Sequence, residues 1–245
     1  MGKNDQYMKN MSIVSSQIVE TGTTIQTMVD NLRRAKDVTL QGATGSNTTL
    51  QRQAIAEEIN QILEEAVVMG NRQTNGRYIF GGTRTQTPAF EAVRDADGRI
   101  ADIVYQGDNE SIEVAISDGV KVSVNEAGNR VFQSNEDVFQ TLIDIRDNLL
   151  NGDQDGLSQN LGQLDRAEEQ LLTALSRVAS VENRLDRVTQ DTMDFNFQFE
   201  RVLSDAVDAD FAETMVNLNS ESNAFQAALA ASARVLQPSL LDYLR

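Results

Sequence analysis

The chain has no cysteine, histidine or tryptophan, only two prolines, and aromatic residues at 5% of its 245 positions. Without histidine it lacks the usual near-neutral general base, a common transition-metal ligand and the middle member of a Ser or Cys triad. Without cysteine there is no thiolate nucleophile, disulfide or zinc-thiolate centre. Basic residues are also scarce, 21 against 37 acidic, and the net charge of −16 repels phosphate backbones and anionic membrane surfaces. No apolar run approaches the ~20 residues of a membrane span, and no signal-peptide pattern is visible in the first thirty residues. Met1-Gly2 is not a myristoylation start, because Gln6 stands where Ser or Thr is needed. The composition therefore points away from an enzyme, a nucleic-acid binder and a membrane-inserted protein, and no cofactor is expected.

What the chain has is helical periodicity. Met11, Val14, Ile18, Thr21, Ile25, Met28, Leu32 and Ala35 recur at alternating steps of three and four, a heptad stripe on one helix face. The stripe dissolves in the small residues 42–47, after which Thr48 or Thr49 can cap a second helix carrying Ile55, Ile59, Ile62, Leu63, Ala66 and Met69 on one face. After Asn75-Gly76 the period changes. Tyr78, Ile79 and Phe80 precede Gly81-Gly82, and Asp97-Gly98 and Asp118-Gly119 mark turns between segments with alternating apolar residues, such as Ile112, Val114, Ile116 and Val120, Val122, Val124. Helical spacing returns at Asn135, pauses in a loop from Asn151 to Gly156, and resumes through Leu157, Leu161, Leu164, Leu171, Leu175, Val178 and Leu185.

A last stripe, Phe211, Met215, Leu218, Ser222, Phe225, Leu229, Ser232 and Leu236, lies among alanines that permit close helix approach. The expected fold is mainly α with a small β domain: long antiparallel helical arms, bundle-like or coiled-coil-like, with an inserted antiparallel β domain. The expected division is a helical core arm over 1–76, the β insertion over 77–133, a second core arm over 134–205 and a terminal assembly helix over 206–245. Phe211, Met215, Leu218, Phe225, Leu229, Leu236, Leu240, Leu241 and Leu244 are the candidate partner contacts, because complementary sequence for this stripe would have to lie upstream of Lys3. Phe195, Phe197 and Phe199 are expected to pack at the end of the core or to form a further subunit contact.

Two acidic motifs invite a metal reading. Asn151-x-Asp153-x-Asp155-Gly156 mimics the first half of a calcium loop, but its twelfth position is Gly162 instead of a bidentate Glu, so it is read as an inter-helix turn. Asp95-Ala96-Asp97-Gly98 is read as a hairpin turn. Gly81-Gly82 lacks the Lys-Ser/Thr ending of a phosphate loop and is assigned to backbone freedom at a domain joint. Catalytic, metal and cofactor residues are therefore none.

Several stretches resemble the flagellin family, and within it the hook-filament junction member. These are residues 32–41 with the turn and helix that follow; Asn71 to Thr83 with Pro88-Ala89-Phe90; Tyr105-Gln106-Gly107-Asp108; Val122 to Asn125 with Gly128 and Phe132; and Ala227 to Leu244. The resemblance implies a structural subunit of the bacterial flagellum that forms a homo-oligomeric ring at the hook-filament junction. The implied partners are the adjacent hook-associated junction protein, flagellin and a flagellar export chaperone, with export through the flagellar type III pathway to an extracellular location. It also implies that family members carry a further N-terminal segment with the export signal and the inner-tube helix, so this chain is expected to represent the subunit without it. The alternatives are a filament-forming flagellin and a secreted adhesin acting through the β insertion.

Overall fold

The computed structural model describes residues 2–45, 47–207 and 211–235. The chain divides into two compact units, residues 1–192 and 193–245. Among the described residues six helices and six strands follow in the order α1 (Gly2–Gly42), α2 (Thr49–Gly70), β1 (Gln73–Thr74), β2 (Arg77–Tyr78), β3 (Phe90–Arg94), β4 (Ile100–Tyr105), β5 (Glu113–Ser117), β6 (Val120–Ser123), α3 (Gly128–Phe132), α4 (Val138–Asn151), α5 (Gln154–Val207) and α6 (Phe211–Val235). The strands pair only as antiparallel hairpins, β1 with β2, β3 with β4 and β5 with β6.

In the first unit the α1 stripe is buried at all eight positions. Its threonine costs no unpaired hydroxyl, since Thr21 Oγ1 donates to Gln17 O at 2.8 Å, and buried Thr24 does the same to Glu20 O. Contacts across the core set α1 antiparallel to α5. Lys36 pairs with Asp165 and Arg33 with Glu168, Val178 and Leu175 face Gly22, and Thr189 meets Met11. Glu168, a charge set within the α5 stripe, thus has its cation on α1. On the other side Arg34 reaches Glu58 of α2, and Arg72, just beyond α2, reaches Glu20. The basic run after Leu32 fastens α1 to two helices at once.

Thr48 caps α2 through a full capping box. Its hydroxyl accepts from Gln51 N while the Gln51 side chain accepts from Thr48 N. The loop between α4 and α5 is shorter than the expected one. Gly152 closes α4 in the left-handed conformation (φ 74°), and Asp153 Oδ1 accepts from Gly156 N at 3.0 Å, so α5 starts at Gln154 and takes Gly156 into its first turn. The calcium-like motif is therefore a helix-start device. Asp95 works similarly in the β3–β4 hairpin, its Oδ1 accepting from the backbone N–H groups of Asp97 and Arg99. Two elements went unread in the sequence, the one-turn α3 and the β1–β2 hairpin around Asn75-Gly76.

The helices meet the hairpins at an aromatic cluster. Phe90 lies 4.9 Å from Phe139, 5.2 Å from Tyr105 and 5.7 Å from Phe132, which is itself 4.9 Å from Phe80. Asn71, one residue past α2, holds β3 there as a neighbouring strand would: its Nδ2 donates to Phe90 O and its Oδ1 accepts from Phe90 N. Gly128 is required on the far side, because a Cβ there would stand 2.7 Å from the Phe90 ring.

The Gly81-Gly82 joint is locked by the Tyr-Gln-Gly-Asp segment. Gly82 has φ +65°, and a Cβ on it would sit 2.2 Å from Asp108 O. Asp108 accepts from Thr83 N at 2.8 Å and from the Thr83 hydroxyl, and these bonds hold its carboxyl below the usual carboxylate range. Tyr105 Oη joins Asp108 O, Phe80 O and Gly128 N, and burial pushes its phenol up. A carboxylate with a lowered folded-state value stabilises fully above its unfolded value, and that contribution fades as pH falls below about 4 towards the folded value. Asp108→Asn is therefore expected to flatten the acid limb of a melting-temperature profile, measured by thermal denaturation from pH 7 to pH 2. An unchanged acid limb would refute this role.

Candidate functional site, an exposed apolar helix

In the second unit, α6 forms because alanine dominates its middle, with Glu213 in its first turn and Arg234 in its last, both favourable for the helix dipole. From Ser222 to Ala233 it carries no charge, in a chain of net −16. Its apolar side chains remain exposed: Phe211 by 78%, Phe225 by 66%, Leu218 by 59% and Leu229 by 55%, with Met215 less so. Val216, off the expected stripe, is exposed as well, so the apolar surface is wider than one heptad seam. Leu236, Leu240, Leu241 and Leu244, the remaining candidate contacts, lie outside the described residues.

The end of α5 continues the pattern within the same unit. Met193, Phe195, Phe197, Phe199, Val202 and Leu203 are all exposed, and the Phe195 and Phe199 rings, one helical turn apart, stack at 6.2 Å. Phe195, Phe197 and Phe199 thus lack the core packing that is the simpler expectation for them. Most helical stability in proteins comes from packing an apolar face, and several large apolar side chains along one helix are unusual on a finished surface. What the arrangement can do is present a neutral face of small and large apolar residues to another helix. Val202, Leu203 and Val216 escape sequence reading because they fall between heptad positions, and only their exposure marks them.

Among the described residues no group of acidic side chains is placed to hold a metal ion, and no helix is long and apolar enough to cross a membrane.

Residues 1–85 match the family of the bacterial flagellin N-terminal helical region. No curated protein matches the sequence. Among solved structures, a flagellar hook-associated protein from Vibrio parahaemolyticus superposes with a TM-score of 0.74 at 20% identity, covering 82% of this chain and 90% of that one. The flagellar junction protein FlgL from Legionella pneumophila gives 0.66 at 15% identity over 76% and 96%. A Bacillus cereus flagellin gives 0.54 at 16% identity over 75% and 88%. Residues 1–85 are thus similar to the bacterial flagellin N-terminal helical region, and the fold, helical arms with an inserted set of β hairpins, is shared with the solved flagellar hook-associated and junction proteins.

Proposed function

We propose that the protein is a structural subunit of the bacterial flagellum that forms a ring at the hook-filament junction, adapting the hook to the filament, and that it is not an enzyme. The observation that carries this reading is the fold: the hook-associated and junction structures superpose more closely than the flagellin does, with TM-scores of 0.74 and 0.66 against 0.54. The four-part division of the chain fits this role, with the core arms and β insertion as the stable body and residues 206–245 as the assembly segment. Its partners are further copies of itself, the adjacent hook-associated junction protein on one side and flagellin on the other. An export chaperone would hold the exposed apolar terminal stripe before passage through the flagellar type III channel, and the assembled subunit is extracellular.

Adding the full-length protein to purified hooks tests this. A short terminal zone that needs the adjacent junction protein and then seeds flagellin growth is expected in electron micrographs. Long filaments of this protein alone would overturn the junction role in favour of a flagellin.

A further inference from the structure

Asn-Gly occurs twice in the chain, at Asn75-Gly76 and at Asn151-Gly152. A glycine after asparagine leaves the backbone nitrogen between them unscreened by any side chain, so it can approach the asparagine carboxamide. Whether it does depends on how firmly the backbone there is held, and the two pairs differ in this.

Asn75 and Gly76 are the central residues of the β1–β2 turn, both exposed and both at positive φ, 53° and 73°. Among the described residues neither the Asn75 side chain nor the Gly76 N–H has a hydrogen-bond partner. Nothing lies within 4 Å of the point where a Cβ on Gly76 would stand. The hairpin that carries this turn is held by two residue pairs, Gln73 with Tyr78 and Thr74 with Arg77, and so short a ladder opens easily. Asn151 is also exposed, but it is the last residue of α4. There the Gly152 N–H donates to the carbonyls of Asn148 and Leu149, and the Arg52 side chain stands 3.3 Å from the Cβ position of Gly152.

We propose that Asn75 is a site of spontaneous covalent modification, ageing to aspartate and isoaspartate through a cyclic imide, while Asn151 is protected by its helix end. When the turn opens, Gly76 N yields its proton to hydroxide and attacks Cγ of Asn75. The new N–C bond closes the imide ring as the bond from Cγ to Nδ2 breaks, and the nitrogen leaves as ammonia with a proton taken from water. Water then opens the ring at either carbonyl, giving aspartate or isoaspartate. Isoaspartate adds a methylene to the main chain inside a two-residue turn and so breaks the pairing of Thr74 with Arg77, and either product adds a negative charge. The chemistry does not depend on the flagellar role.

The test is to age the full chain in warm, mildly alkaline buffer and to follow both sites by peptide mass mapping, with isoaspartyl methyltransferase labelling to count isoaspartate. The amide-to-acid mass gain is expected at Asn75 about tenfold faster than at Asn151, or more. In concentrated urea, where neither backbone is held, the two rates should converge. G76A, whose Cβ meets open space, should slow conversion at position 75 and leave Asn151 unchanged. Equal rates at the two sites in the folded chain, an Asn75 that converts in urea but stays intact when folded, or a G76A variant that ages as fast as the parent would each overturn the proposal.

Discussion

Replacing both Phe225 and Leu229 by aspartate is expected to abolish incorporation into a hook-bound ring without lowering the melting temperature of residues 1–192. Both side chains are more than half exposed on α6, so their loss removes no packing already present, and surface changes of this kind usually stay within about 0.5 kcal/mol. In an assembly they would be buried, and each buried Phe or Leu contributes roughly 1.5–3 kcal/mol. Losing two such anchors removes about 3–6 kcal/mol per contact, a weakening of about a hundredfold or more, before the cost of burying two new carboxylates is counted. Electron microscopy of hooks incubated with the variant reads the first effect and thermal denaturation the second. Normal incorporation would show that the partner contacts lie elsewhere; a large fall in melting temperature would show that α6 belongs to the folded core.

Phe90→Ala is expected to destabilise the first unit by about 3–5 kcal/mol, the range for truncating a fully buried aromatic residue. Phe90 is the shared member of the aromatic cluster, in ring contact with Tyr105, Phe132 and Phe139, and it fills the space that Gly70 and Gly128 leave open on either side. Neither glycine can follow the ring inward, because each is fixed by its own helix or turn, so a cavity should persist. Phe90→Leu restores part of the volume and should recover roughly half of the loss. Urea denaturation measures both. Because β3 is tethered by Asn71 as well as by this ring, hydrogen exchange should show the hairpins opening before the helices in the alanine variant. A variant as stable as the parent would mean that the joint between helices and hairpins is held by the backbone bonds alone.

Much of the helical frame was legible from spacing. The α1 stripe from Met11 to Ala35 is buried throughout because a three-four rhythm places those residues on one side wherever the helix packs. Thr48 was readable as a cap, and Asp97-Gly98 and Asp118-Gly119 as turns, because these depend on a few neighbouring residues. The misread places each involve a local competition that composition does not rank. The polar, glycine-containing stretch from Asn151 to Gly156 looks like a loop of six residues, yet one carboxylate bond from Asp153 suffices to begin α5 two residues after Gly152. The five-residue α3 is too short to show any period.

The candidate assembly stripe was legible as a pattern, from Phe211 to Leu229, but heptad spacing is the same for a buried seam and a free one. Only the exposure of those side chains distinguishes them. Arg146 of α4, only 4% exposed, was invisible for a related reason: within an amphipathic helix an arginine reads as surface, and the Ile100 carbonyl that accepts from it lies on a strand 46 positions away.

The sequence by itself determined the periodic elements, the turn chemistry and the exclusion of histidine and cysteine chemistry, because these depend on residues near one another or on composition. Tertiary structure alone decided which charges pair inside the molecule, such as Glu168 with Arg33. It also decided which apolar faces are covered and which stay exposed. Such a pairing joins residues far apart in the chain, 135 positions for Arg33 and Glu168, and burial is a property of the assembled surface that no local window of the chain contains.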